Sequence, residues 1–95
     1  MRTIWKFPLA ITEKSSSIDA PKGAKPVFVG IDPKIGAICI WSEVDWDVTK
    51  PSEYVMLPIK IYGTGHGIAD GDKYLGSVIT EEGFVWHLYL IGEKP

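Results

Sequence analysis

The chain has 95 residues, of which 45% are apolar and 12% aromatic, and its net charge is −2. This length holds one domain, residues 1–95, and the apolar content is sufficient for a packed core. Because the two signs of charge are interspersed, we expect neither general nucleic-acid binding nor binding to a membrane surface. No apolar run reaches the roughly 20 residues that cross a bilayer as a helix, so no membrane partner is expected.

The first strand is predicted over residues 3–11, where large apolar side chains alternate with other residues. Pro8 has no backbone donor for a sheet ladder, so this strand is expected at a sheet edge or with a bulge. Residues 13–17 are polar and are predicted to form a loop. A hairpin is predicted next, with strands over residues 25–31 and 37–44.

The second strand of that hairpin is apolar on both faces as far as Ser42. Such a pattern predicts a central strand or a face covered by a ligand. Cys39 lies in the middle of this run and is interpreted as a small buried hydrophobe. A lone cysteine, together with an N-terminal segment that lacks a signal-peptide pattern, favours the reducing cytoplasm.

An acidic stretch over residues 43–53 surrounds Trp46. We interpret its carboxylates as a solvated rim. Trp46 and Trp5 both have charged neighbours, so they are candidates for stacking on a flat ligand.

The second half of the chain contains three further strand patterns, over residues 54–62, 73–79 and 84–91. The last two are joined by a predicted four-residue hairpin connection, residues 80–83, with glycine at its left-handed position. Apolar residues do not recur with a helical period, and turn signals recur about every 8 to 12 residues. The predicted fold class is therefore all-β, a small barrel or compact sandwich of about six mostly antiparallel strands.

The strand 54–62 runs into the most specific motif of the sequence, Tyr62-Gly63-Thr64-Gly65-His66. Closely spaced glycines allow backbone N–H groups to point into one concavity that accepts an anion, and a histidine at its edge adds a hydrogen-bonding or titrating group. The motif does not match a dinucleotide or triphosphate loop, because no helix pattern follows it. A tight turn with a surface histidine is the alternative interpretation.

No catalytic residue, cofactor or metal site is predicted. The two-histidine phosphodiesterases carry a His-x-Ser/Thr pair, whereas His66 is followed by Gly-Ile and His87 by Leu-Tyr. His66, Asp70 and Asp72 could converge, but their spacing is not that of a zinc or calcium site. His87 lies in an alternating strand, where it is either a half-buried structural histidine or a ligand-binding residue.

Several segments together resemble a family of small uncharacterised proteins found mostly in tailed-phage genomes. The resemblance covers nearly the whole chain, and it rests on Thr3-Ile4-Trp5-Lys6-Phe7-Pro8-Leu9, Pro21-Lys22-Gly23-Ala24, Ile61-Tyr62-Gly63-Thr64-Gly65-His66, Tyr74-Leu75-Gly76-Ser77 and Phe84-Val85-Trp86-His87. It implies phage origin and expression in the cytoplasm of an infected bacterium. It implies no particular activity.

In that context we expect a non-enzymatic binding protein, an anti-defence sponge for a nucleotide-derived immune signal of the cyclic ADP-ribose or cyclic oligonucleotide type. This expectation requires that the first strand pairs near strand 54–62. The expected ligand-binding residues are Trp5, Lys6, Tyr62, Gly63, Thr64, Gly65, His66 and His87.

Two alternatives remain open: an inhibitor that contacts a host protein through Trp46 and its acidic rim, and a nucleotide phosphodiesterase that uses His66 and His87. A small barrel encloses little concave volume, and a pocket that covers a nucleotide forms more easily between subunits. A homo-oligomer, most simply a symmetric dimer, is therefore expected.

Overall fold

A computed structural model describes residues 1–9, 15–47, 49–50 and 53–92. These residues contain seven strands and no helix, which confirms the all-β prediction. In chain order the strands are Arg2–Pro8 (β1), Ser15–Pro21 (β2), Lys25–Asp32 (β3), Ala37–Asp45 (β4), Tyr54–Gly63 (β5), Lys73–Ile79 (β6) and Val85–Leu90 (β7). Within this described part, no helix is long and apolar enough to span a membrane.

The strands form two separate antiparallel sheets. One has three strands in the order β1-β4-β3, and the other has four in the order β2-β5-β7-β6. The architecture is therefore a sandwich and not a closed barrel. β4 lies in the middle of its sheet, which confirms the central position predicted from its two apolar faces.

The core lies between the sheets and takes side chains from both of them. Inward positions alternate along each strand, so the apolar residues of each strand pattern meet in one layer. The buried cluster comprises Leu9, Ile18, Val29, Ile38, Ile40, Ile59, Ile61, Val78 and Leu88. Cys39 is also fully buried, and this burial raises the pKa of its thiol. Its interpretation as a small buried residue is confirmed.

The predicted loop over residues 13–17 is wrong in its second half, because β2 begins at Ser15. β2 pairs with β5 along its whole length, and Ile18 and Ala20 are buried. Backbone partners on β5 and two inward apolar side chains thus outweigh the polar composition. Residues 10–14, which include the end of the predicted first strand, and residues 48 and 51–52 of the acidic stretch lie outside the described residues.

The connection between β5 and β6 crosses one face of the four-stranded sheet. Both strands are antiparallel to β7, which lies between them, so they are parallel to each other. Gly63 at the end of β5 is opposite Trp86, whereas Lys73 at the start of β6 is opposite Leu90. Residues 64–72, called the strap below, must therefore run back along β7 to begin β6.

Tyr62 shows which face the strap covers. Its hydroxyl donates to Asp72 Oδ2 at 2.8 Å and accepts from the backbone N–H of Ala69 at 3.3 Å. Its neighbour Ile61 points into the core, so Tyr62 points to the opposite, outer face. The strap thus lies over the outer face of the four-stranded sheet and buries the Tyr62 side chain, which is 4% exposed.

Candidate functional site

Tyr62, His87 and Ser77 lie in one row across three neighbouring strands. Tyr62 on β5 is opposite His87 on β7, and His87 is opposite Ser77 on β6. Directly opposed residues of antiparallel strands point to the same face. All three side chains therefore share the outer face, beside the beginning of the strap.

Four side chains of this region form a continuous hydrogen-bonded chain, called the hydroxyl–imidazole row below. The Thr64 hydroxyl lies 3.0 Å from His87 Nε2, and the Ser77 hydroxyl lies 2.7 Å from His87 Nδ1. The Tyr74 hydroxyl lies 2.7 Å from that of Ser77. His87 and Ser77 are half-buried, whereas Thr64 and Tyr74 at the two ends are exposed.

A local irregularity of β6 places Tyr74 and Ser77 on the same face. Residues three apart in a regular strand point to opposite faces. Here the register with β7 shifts between Tyr74 and Gly76, so that Leu75 is an extra residue. Such a bulge restores the alignment of the two side chains, and their hydroxyls meet.

Aromatic rings border the row. The Tyr89 ring lies 5.3 Å from the Tyr74 ring and 5.4 Å from the Tyr62 ring, the latter at 90°. Lys60 Nζ lies 5.1 Å from the centre of the Tyr62 ring. Tyr74 is 54% exposed, so one aromatic surface and one cation are available next to the row.

The glycine motif has the predicted conformation at Gly65, whose φ is +89°. Its hydrogen bonds, however, are partly internal. The Gly63 N–H donates to His66 Nδ1 at 3.1 Å, and the His66 N–H donates to the Gly63 carbonyl at 3.2 Å. Two of the N–H groups that an anion would need are therefore already satisfied within the turn.

Trp5 and Lys6 lie in the other sheet. β1 pairs with β4 and not with β5, so the pairing needed to bring them to the glycine motif does not occur. Lys6 Nζ instead forms an ion pair with Asp32 Oδ2 at 2.6 Å. The Trp5 ring packs at 6.4 Å from the Trp46 ring. The predicted residues that the structure does bring together are Tyr62, Gly63, Thr64, Gly65, His66 and His87.

Trp46 borders a separate surface cavity of about 720 Å³, whose other lining residues are Met1, Lys22, Asp45, Asp47 and Lys50. Two of its carboxylates have partners. Asp45 pairs with the Met1 amine at 3.0 Å, and Asp47 accepts hydrogen bonds from the Thr49 hydroxyl and backbone N–H. These bonds lower the pKa of the Asp47 carboxyl.

The row can hydrogen-bond a ligand, and its Ser77–His87 contact also has the form of a nucleophile next to a base. The other ring nitrogen of His87 is hydrogen-bonded to the Thr64 hydroxyl and not to a carboxylate. Among the described residues, no group of three or more histidine, cysteine, aspartate or glutamate side chains could hold a metal ion. The row thus presents hydroxyl groups, an imidazole and an aromatic ring with which a ligand could be contacted.

Sequence reasoning missed Ser77 and Tyr74. A four-residue connection over residues 80–83 pairs Ile79 with Phe84, and in that register Gly76 is opposite His87. In the structure Thr80 is bonded to Phe84 across a loop of three residues, 81–83. This register places Ser77 opposite His87. The hairpin pattern could have placed Ser77 opposite His87, but only with a loop of three residues instead of the predicted four.

A family model described as "Domain of unknown function (DUF7352)" matches residues 1–94. No curated protein and no solved structure matches the chain. Since the family model covers nearly the whole sequence, the chain belongs to the DUF7352 family.

Proposed function

We propose that the protein binds a small anionic, nucleotide-type ligand without turning it over, on the outer face of the four-stranded sheet. The observation that carries this proposal is the hydroxyl–imidazole row, whose two ends, Thr64 and Tyr74, are exposed. Hydroxyl and imidazole groups suit phosphate and ribose oxygens. An exposed tyrosine ring suits a base.

We propose a site whose composition differs from the one expected from the sequence. Ser77 and Tyr74 join Thr64 and His87 as binding residues, and His66 lies at the rim. Lys60 takes the place of Lys6 as the nearby cation, because Lys6 is paired in the other sheet. Tyr62 supports the site by holding the strap.

The resemblance to tailed-phage proteins supports a biological context for this binding. We infer a phage-encoded protein of the host cytoplasm that sequesters a nucleotide-derived immune signal. Sequestration requires no nucleophile and no metal, only affinity and sufficient protein.

Dimer formation is part of the proposal. The two ends of the row are exposed, and ligand pockets usually cover most of the ligand. Tyr54 and Met56 are 54% and 65% exposed on β5, and both alternate onto this outer face with Tyr62. A second copy that packs against this face would cover the ligand and these side chains together.

Calorimetry with cyclic mononucleotides, cyclic dinucleotides and cyclic ADP-ribose tests the proposal. Binding should be lost or weakened at least tenfold in Ser77→Ala, whereas Ser17→Ala, an exposed serine of the same sheet, should bind as the wild type does. Ligand recovered intact after heat denaturation supports sequestration. Chemical turnover would instead support the phosphodiesterase alternative.

An inhibitor of a host protein is the second candidate, favoured by the cavity beside Trp46. The pairing of Asp45 and the hydrogen bonds of Asp47 reduce the free negative charge there, which weakens mimicry of a nucleic acid. Charge reversal of both carboxylates should abolish activity if this candidate is correct. The same change should leave ligand binding intact if the sheet face is the site.

A further inference from the structure

His87 is the member of the hydroxyl–imidazole row whose ring can take up a proton and become positively charged. Histidine is the side chain whose ordinary titration falls between pH 5 and 8. In the row both ring nitrogens are engaged, Nδ1 with Ser77 and Nε2 with Thr64. The protonation state and the tautomer of the ring together therefore set the direction of every hydrogen bond in the row.

A neutral His87 leaves the row with one outward-pointing hydroxyl proton. Neutral imidazole has one N–H donor and one acceptor nitrogen. If Nδ1 accepts, Ser77 donates to the ring, Tyr74 donates to Ser77, and only the Thr64 proton points outward. If Nε2 accepts, Thr64 donates to the ring and only the Tyr74 proton points outward.

A protonated His87 leaves the row with two outward-pointing hydroxyl protons. Both ring nitrogens then donate, so Thr64 and Ser77 accept from the ring. Ser77 in turn donates to Tyr74. The protons of Thr64 and Tyr74 both point outward, at the two exposed ends of the row, and the ring carries a positive charge between them.

We propose that the row is a proton-linked site for a ligand with two oxyanion groups, such as a dinucleotide or a diphosphate ester. The imidazolium form offers one hydroxyl donor to each oxyanion and compensates part of their charge. The inference rests on the proposed function, in which the oxyanions are the phosphates of a nucleotide-type ligand. It adds a ligand class and a pH dependence.

Other charged or titratable groups lie on the elements next to His87. β5 contributes Lys60 and Tyr62, β6 contributes Lys73 and Tyr74, β7 itself contributes Tyr89, and the strap contributes His66, Asp70 and Asp72. The Asp72 carboxylate accepts from the Tyr62 hydroxyl and from the Gly92 N–H. His66 is the other histidine of this set, so it is the required control.

Affinity for cyclic di-AMP, measured by calorimetry between pH 5 and 8, tests the linkage. Its phosphodiesters do not titrate in this range, so a pH dependence reports on the protein. The dissociation constant should rise as the pH rises, by up to about tenfold per pH unit for one linked proton. Calorimetry in two buffers of different ionisation heat should show uptake of about one proton on binding at the upper end of this range.

Two matched variants assign the proton. His87→Gln should bind with an affinity that does not depend on pH, because an amide keeps one donor and one acceptor but cannot charge. His66→Gln should keep the wild-type dependence. A wild type with constant affinity, or a slope that survives in His87→Gln and disappears in His66→Gln, would overturn the proposal and leave the proposed binding function standing.

A second measurement does not require a nucleotide to bind. Sodium sulfate is titrated at constant ionic strength while the two histidine Hε1 signals are followed by NMR against pH. The midpoint of His87 should move upward with sulfate, and that of His66 should stay. If sulfate shifts both midpoints equally, or shifts neither of them, the row is not a specific oxyanion site. This conclusion would hold even if calorimetry detects ligand binding.

Discussion

Lys6 and Asp32 illustrate how one contact removes a residue from a predicted site. Lys6 Nζ lies 2.6 Å from Asp32 Oδ2, across the central strand β4. The hydrogen bond between them raises the pKa of the Lys6 amine and lowers the pKa of the Asp32 carboxyl. Lys6 is therefore paired with a carboxylate on the three-stranded sheet, whereas the hydroxyl–imidazole row lies on the other sheet.

Asp32→Asn should lower the urea midpoint slightly at pH 7, because it removes the ion pair but keeps an oxygen that can accept from the Lys34 N–H. The folded-state pKa of Asp32 is lowered, so its contribution is present above its unfolded value, near pH 4. The contribution is lost as pH falls through the lower folded value. Wild type and variant should therefore converge in acid. A difference that persists unchanged at pH 2 would contradict the ion pair as its cause.

At the scale of elements, alternation predicted most strands but not their neighbours. The strand over residues 54–62 is confirmed, and so is the hairpin of β3 and β4, in which Asp32 is opposite Ala37. The pairing of β1 with β4 joins residues 31 to 43 apart in sequence. Nothing in a single alternating segment encodes such a partner. The strap also depends on a strand pairing that no single segment encodes, because β5 and β6 are separated only when β7 lies between them.

Tyr62→Phe should loosen the strap, because it removes the hydroxyl that bonds Asp72 and the Ala69 N–H. The expected loss is about 1 kcal/mol of unfolding free energy. Hydrogen exchange at Ala69 should also become faster. Tyr54→Phe alters an exposed tyrosine of the same strand and is the control. Unchanged exchange at Ala69 would show that the strap is held by other contacts.

Gly76→Ala tests the close approach of β6 to β3 that accompanies the bulge. A Cβ at Gly76 would lie 2.3 Å from Val29 Cγ2, whereas nothing lies within 4 Å of one at Gly67. Valine has a stiff side chain, so overpacking should cost about 1 to 3 kcal/mol in urea unfolding. Gly67→Ala should be close to neutral. Adding Val29→Ala to Gly76→Ala should recover part of the loss, and a strictly additive double variant would contradict the clash.

For the whole molecule, one core joins the two sheets, since Ile40 from one and Leu88 from the other belong to the same buried cluster. The sheets should therefore unfold together. Leu88→Ala should cost about 2 to 5 kcal/mol in urea unfolding. Ile79→Ala, at a position 69% exposed, should change stability by less than about 0.5 kcal/mol. Separate transitions in tryptophan fluorescence and far-ultraviolet circular dichroism would contradict a shared core.

The proposed ligand should bind to the outer face of the four-stranded sheet and not in the Trp46 cavity. Backbone NMR with the cyclic nucleotide of highest affinity tests it most directly. The predicted result is that the largest chemical-shift changes occur at Thr64, Tyr74, Ser77 and His87 and disappear in Ser77→Ala. Changes centred on Trp46 and Lys22, unaffected by Ser77→Ala, would contradict the claim.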